Sequence, residues 1–312
     1  MTTTDATAAL APADTAVRTA TRGNGRSPTT GGRSLVRVPA VVGLVPFVAF
    51  VGVFLLFPAV TVFVKAFEHS ATSTKPAMLQ ALDEPFRDSF VESIKLSVLT
   101  AVIGGVIGVL LAFAVVNLRR PKWLRTFATS FGGVAANLGG VPLAFAFIAA
   151  LGVQGLATKI LDTMGINFVD ATTLGSNTGL TIVYLYFQIP LMMLVVLPAI
   201  DGLQTSWREA AANLGAGPAT YWRRVGGPIL APSILGGLLL LFANSFSAYA
   251  TAFAISTGAS RLAPVQIRFF LQGDQSGYAE VGYAMAAWMI IIALVAMGGY
   301  LLLRRRAERW RR

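Results

Sequence analysis

Long apolar runs alternate with short polar connections along this chain. Six runs, roughly 39–64, 94–118, 127–151, 179–200, 229–255 and 279–303, are apolar over most of their length. Crossing about 30 Å of hydrocarbon takes about 20 helical residues, and each run is long enough. The pattern predicts an all-α integral membrane protein with about six transmembrane helices, set in a cell membrane as a multi-pass chain. Four segments are expected. Residues 1–33, rich in Thr, Ala, Gly and Arg without an apolar period, read as a disordered tail. Residues 34–88 read as the first transmembrane helix and an outer loop, within a polar stretch 65–93. Residues 89–303 read as a core of five transmembrane helices containing the polar loop 201–228, and 304–312 as a basic tail.

Charge gives the pattern a direction. Basic residues cluster as Arg18, Arg22, Arg26, Arg33 and Arg37, then Arg119, Arg120, Lys122 and Arg125, then Arg208, Arg223 and Arg224, then the arginines of 304–312. These stretches hold most of the 25 lysines and arginines, and alternate connections hold them. Positive residues stay in the cytoplasm, so both termini and the loop 201–228 are expected there. The net charge of +11 is explained by this topology, and no nucleic-acid partner is inferred.

Composition removes most enzymes. The 312 residues are 55% hydrophobic and 12% charged, against about 25% charged in a soluble domain. There is no cysteine and one histidine, His69, so thiolate chemistry, a Ser-His-Asp triad and a multi-histidine metal site have nothing to be built from. No lysine follows a glycine, so a phosphate-binding G-K-[ST] loop is missing. No catalytic residue, metal site or cofactor is expected.

The loop 201–228 carries the most informative stretch, Trp207 to Ile234, WREAAANLGAGPATYWRRVGGPILAPSI. Ser206 and Glu209 have the S-x-x-E spacing of a capping box. Ala210, Ala211 and Ala212 favour helix. Gly215 or Gly217 can end it, and Pro218 prevents continuation. A helix of roughly ten residues is too short to be stable alone. It either lies on lipid through Trp207, Tyr221 and Trp222, with Arg223 and Arg224 on phosphates, or sits in a protein socket. The small residues favour the socket, because they let another backbone come close.

This stretch resembles the cytoplasmic loop of ATP-binding-cassette importer permeases, with the pattern E-A-A, three residues, G, nine residues, I-x-L-P. Glu209, Ala210, Ala211 and Gly215 match at that spacing, and Pro228 closes it. Val225-Gly226-Gly227 stands where I-x-L is expected, and Gly227 for Leu implies a less closely packed helix exit. The resemblance covers about 89–303. It implies a type I importer permease fold and a coupling helix docked in a cleft of a separate cytoplasmic ATP-binding subunit dimer. It also implies a second permease subunit, homologous or identical, and an extracellular or periplasmic solute-binding protein. The chain would then be a non-catalytic subunit, with ATP hydrolysed by its partner. The alternative is a channel or scaffold whose cytoplasmic helix lies on membrane lipid.

Polar groups inside hydrocarbon mark candidate substrate paths. Asn244, Ser247 and Thr251 fall on one helical face, with Ser245 and Tyr249 beside it. Asn137 and Gln188 are further candidates. The competing role for each is hydrogen bonding between helices. Pro142, Pro190 and Pro198 can kink spans, and Gly104 and Gly108 form a G-x-x-x-G packing motif. Ser245 to Thr251 resembles the polyamine and aminoethylphosphonate branch of the same permeases, which implies a small polar solute of that kind.

Overall fold

The computed structural model describes residues 40–70, 73–118, 121–152, 154–165, 174–256, 260–272 and 277–309. The expected tail 1–33 lies outside them. Regular structure among the described residues is helical, apart from one isolated bridge between His69 and Pro76. Six helical stretches are long and apolar enough to cross a membrane: Leu44–Ala66, Phe86–Asn117, Val141–Thr163, Asn177–Asp201, Pro218–Phe246 and Ala279–Arg305. The protein is an all-α, multi-pass membrane protein.

The chain divides into two units, 1–51 and 52–312. In the first, α1 (Ala40–Val51) carries Pro46 and exposed apolar side chains such as Leu44 and Phe47. The second begins with a π-turn (Gly52–Leu56) and α2 (Phe57–Ala66), followed by the short α3 (Ala77–Gln80). α4 (Phe86–Asn117) starts inside the stretch 65–93 that reads as a loop, so the second span is longer than its apolar run. Its first turn is amphipathic rather than apolar, which hides it from hydropathy. Phe86, Phe90 and Ser93 are nevertheless buried, with Phe86 edge-on to Phe270.

The third run, expected as one helix over 127–151, is several pieces. α5 (Lys122–Asn137) ends before Gly140, α6 (Val141–Leu151) follows, and α7 (Leu156–Thr163) continues the span. Gly140 has φ +76° and ψ −149°, a region that essentially only glycine occupies. Pro142 therefore opens a helix rather than kinking one.

α8 (Asn177–Asp201) is the central span. Ser176 caps it by accepting a bond from the Gly179 N–H at 3.3 Å, and it passes through Pro190 and Pro198 without a break. α4 lies against it through the G-x-x-x-G motif. A Cβ on Gly104 would stand 2.9 Å from Gln188 Cβ, and one on Gly108 would stand 2.5 Å from Met192 Cβ. That is the close helix approach small residues allow. The polar loop then forms α9 (Thr205–Asn213), α10 (Pro218–Tyr221) and a π-turn (Trp222–Gly226), which runs into α11 (Gly227–Phe246).

The fifth run, expected as one helix over 229–255, breaks at Ser247 and Ala248. α12 (Tyr249–Ser256) resumes it, α13 (Ala263–Gln272) follows, and α14 (Ala279–Arg309) closes the described chain. α14 carries Arg304, Arg305, Arg306 and Arg309 of the expected basic tail 304–312 as a continuation of the last span, and the rest of that tail lies outside the described residues.

Three apolar clusters hold unit two. One joins α4, α6, α8, α12 and α13 through Leu96, Leu143, Tyr184, Ala252 and Val265. Another joins α2, α4, α11, α13 and α14 through Ala66, Phe90, Phe246, Ala263 and Met285. The third joins α4, α8 and α11 through Val115, Met192, Val196 and Leu241.

Candidate functional site

Two regions attract attention, the loop helix α9 and a polar cavity at the break between α11 and α12. α9 starts from Gln204, whose backbone is extended (φ −73°, ψ 133°) and which gives no side-chain cap. Ser206 is therefore already inside the helix, and its hydroxyl points to Gln204 Oε1 at 3.4 Å. The expected capping box is not formed. An S-x-x-E spacing caps only where the serine itself holds extended backbone, and here the chain turns helical at Thr205. Among the described residues Glu209 makes no ion pair, with Arg223 and Arg224 included.

The far end of α9 is closed by backbone alone. Gly215 has φ +76°. Its N–H bonds the Ala212 carbonyl at 2.9 Å, and the Ala216 N–H bonds the Ala211 carbonyl at 2.9 Å. These are the two bonds of a Schellman end, so of the two glycines expected to stop the helix it is Gly215 that does. No residue of α9 is buried, and the following Leu214 is 88% exposed. Nothing lies within 4 Å of a Cβ placed on Gly215. Glu209, Ala210 and Gly215 are thus exposed, and Ala211 is half-buried.

The return from the loop is packed, against expectation. A Cβ on Gly227 would stand 2.6 Å from the Trp222 carbonyl, and one on Gly226 would stand 2.6 Å from the Trp222 ring. Only glycine fits at these two positions, and Trp222, though 42% exposed, meets Phe113 edge-on with ring centroids 5.5 Å apart. Pro228 lies in the first turn of α11, directly after the π-turn. Tyr221 is 6% exposed, so it anchors the loop to protein and not to lipid.

The second region is a cavity of about 470 Å³ lined by Asn137, Gly140, Phe187, Asn244, Ser247, Tyr249 and Thr251, among others. Five of the expected path residues (Asn137, Asn244, Ser247, Tyr249 and Thr251) meet there. They do so without sharing one helix face, because the helix stops at Phe246. The break is stabilised from outside, since the buried Tyr184 donates its hydroxyl to the Ala248 carbonyl at 2.7 Å. Across the cavity, Thr251 Oγ1 accepts from the Gly140 N–H at 2.9 Å and lies 3.3 Å from the Gly140 carbonyl. Two helix breaks far apart in sequence are tied into one corner.

The polar groups here differ in availability. Thr251 is 2% exposed and engaged with Gly140. The Ser247 hydroxyl donates to Ala243 and Asn244 carbonyls of its own chain segment. Asn137 donates to the Gly133 carbonyl at 2.8 Å. The Asn244 amide makes no side-chain hydrogen bond among the described residues. Gln188 is not in the cavity. It is fully buried, its Nε2 donates to Thr100 Oγ1 at 3.0 Å, and Thr100 is in turn 3.0 Å from Ser245 Oγ. That network joins α4, α8 and α11, which is the helix-pairing role weighed against a path role for such residues.

Sequence reasoning missed Arg268. It sits on α13, donates through Nη1 to the Tyr249 hydroxyl and through Nε to Gln272 Oε1, and lies 4.2 Å from the Phe253 ring centroid. No apolar run contains it, so no signal marked it. A second cavity, of about 530 Å³, lies where α4 and α8 begin and is lined by Asp88, Glu92, Lys95, Ser176, Asn177 and Arg261. Glu92 there accepts from Lys95 at 3.1 Å and Asn177 at 2.9 Å.

No family model matches the chain. It is 29% identical over 164 residues to the molybdenum transport system permease protein of Mycobacterium tuberculosis, covering 52% of this chain and 58% of that protein. The chain thus spans somewhat over half the length of that relative. It is 34% identical over 91 residues to the spermidine/putrescine transport system permease protein of Haemophilus influenzae, covering 29% of this chain and 32% of that one. Among solved structures, a bacterial alginate ABC transporter in complex with an alginate-bound periplasmic protein matches 88% of this chain and 95% of its own. The TM-score is 0.62 at 19% identity, which is a likeness of fold.

Proposed function

We propose that this chain, which belongs to the ABC importer permeases by its sequence likeness and shares their fold, is the membrane-spanning, non-catalytic subunit of an ATP-driven importer of a small polar solute. α9 is its coupling helix, and Glu209, Ala210, Ala211, Gly215 and Pro228 build the element that meets a cytoplasmic ATP-binding subunit dimer. A second permease subunit, homologous or identical, completes the membrane part, and an extracellular or periplasmic binding protein delivers the solute. Both termini and α9 lie in the cytoplasm, a placement that the arginine distribution supports. Residues 304–312 carry a basic cytoplasmic end.

One observation carries this reading. α9 has nine residues, none buried, and it ends on an exposed Leu214 and an open Gly215. So short a helix is marginal in water by itself, and an exposed backbone end with small residues on it suits contact with another protein. The lipid-surface alternative loses Tyr221, one of its anchors, to the interior.

Transport follows from the second region. As ATP closes the partner dimer, α9 moves with it, and α11 carries that motion through the packed π-turn to the break at Ser247. The cavity there offers a solute the Asn244 amide, the Ser247 and Tyr249 hydroxyls and Asn137. The relatives act in transport of molybdenum and of spermidine or putrescine, so likeness alone does not choose the solute. Reconstitution is the test. The chain alone should hydrolyse no ATP, and with its ATP-binding, second-permease and solute-binding partners it should give vesicles that take up solute only when ATP is supplied. Uptake unaffected by the lack of ATP would favour the channel reading.

A further inference from the structure

The geometry points to Arg268 as the residue that sets the charge preference of the cavity, making it a path for anionic solutes. This deepens the proposed function and rests on the cavity being the solute path.

Position comes first. The α13 N-terminus is tied to α4, because the Ala263 N–H donates to Ser93 Oγ at 2.8 Å, deep in the bundle. From there α13 reaches back, and Arg268 meets the hydroxyl of Tyr249, the first residue of α12. The eight residues of α12 rise about 12 Å, so Arg268 stands level with the helix break and not at the far end of α12. Beside α12 runs α6, part of the apolar span Val141–Thr163. Arg268 is itself exposed and does not line the cavity directly. A guanidinium facing hydrocarbon at this level is costly, and intramembrane arginines face protein or water-filled paths, so its exposed side is assigned to water.

Charge comes second. Arg268 makes no ion pair among the described residues. Its partners are neutral: the Tyr249 hydroxyl, the Gln272 amide oxygen and the Phe253 ring. Tyr249 itself lines the cavity, and no carboxylate does. One positive charge, without an ion pair among the described residues, therefore stands a single side chain behind a wall of neutral donors. Such a cavity attracts anions and repels cations, and the Asn244 amide, which makes no side-chain hydrogen bond among the described residues, supplies N–H donors an oxyanion takes.

The native chain has no cysteine, which permits a direct test on the full chain in membrane vesicles. Ser247→Cys is reacted with two methanethiosulfonates of similar size, one bearing a sulfonate and one a trimethylammonium. A unit charge about 10 Å away, at a dielectric between protein and water, changes the local level of each monovalent ion roughly fourfold in opposite senses. The anionic-to-cationic rate ratio should therefore fall roughly tenfold in Arg268→Gln and hold in Arg268→Lys. It should also fall as salt rises from about 0.05 to about 0.5 M on the Arg268 background, a readout that needs no second substitution. A ratio moved by neither the glutamine variant nor salt overturns the charge role while leaving the path reading intact. A residue 247 inert to both reagents in every nucleotide state, with all partner subunits present, overturns the path and this inference together.

Discussion

The loop helix and the cavity corner are built in opposite ways. α9 closes on itself: its C-terminal end is satisfied by backbone bonds at Gly215, and it buries nothing. The corner closes on distant residues: Gly140 is held by Thr251, and Ala248 is held by Tyr184. A self-closed, exposed element can be displaced as a rigid piece and taken up by a partner. A corner closed by tertiary bonds can change only if several helices move. The difference suits one part to receive force and the other to convert it into a change of cavity shape.

The largest expected effect is at Gly215. A branched side chain at φ +76° costs at least about 1–2 kcal/mol, and it opens the Schellman end. Gly215→Val should cut co-purification of the ATP-binding subunit and ATP-driven uptake tenfold or more, with the amount of chain in the membrane unchanged. Equal loss of chain and complex would mean that Gly215 serves the fold alone.

Thr251→Ala should act on the corner instead. It leaves the Gly140 N–H without its partner, which costs about 1–3 kcal/mol when the group stays buried. Thermal stability of the detergent-solubilised complex should drop by several degrees. ATPase coupling per assembled complex should stay near the original value, measured by normalising activity to co-purified subunit. If stability is unchanged and transport is lost, Thr251 meets solute.

The smallest effect belongs to Glu209. With no cap bond and no ion pair in this chain, Glu209→Ala should leave thermal stability within about 0.5 kcal/mol, as for an ordinary surface change. Any loss of ATPase stimulation then reports contact with the partner, separated from helix stability by circular dichroism of the same sample.

The sequence made some of this contrast legible and concealed the rest. Spans follow from hydropathy, since lipid requires internally bonded backbone over a fixed thickness. Gly215 was readable as a stop because few residues adopt positive φ. The breaks at Gly140 and Ser247–Ala248 were hidden. Both lie inside apolar stretches, and the groups that satisfy them come from 111 and 64 residues away. The Leu138-Gly139-Gly140-Val141-Pro142 stretch was the available hint for the first. The capping box misled because spacing does not fix where extended backbone ends. Gln188 resembled a path residue because a buried amide looks the same in sequence whether it meets solute or Thr100.

Leu214 provides the most direct check that α9 is the docking element. In the cysteine-free chain, Leu214→Cys can be labelled with a water-soluble maleimide, first in the chain alone and then in the assembled importer. Its 88% exposure predicts rapid labelling alone, and docking predicts strong protection once the ATP-binding subunits join, with a rate that changes between nucleotide states. Labelling as fast in the assembled, ATP-hydrolysing complex as in the chain alone would contradict a docking role for α9.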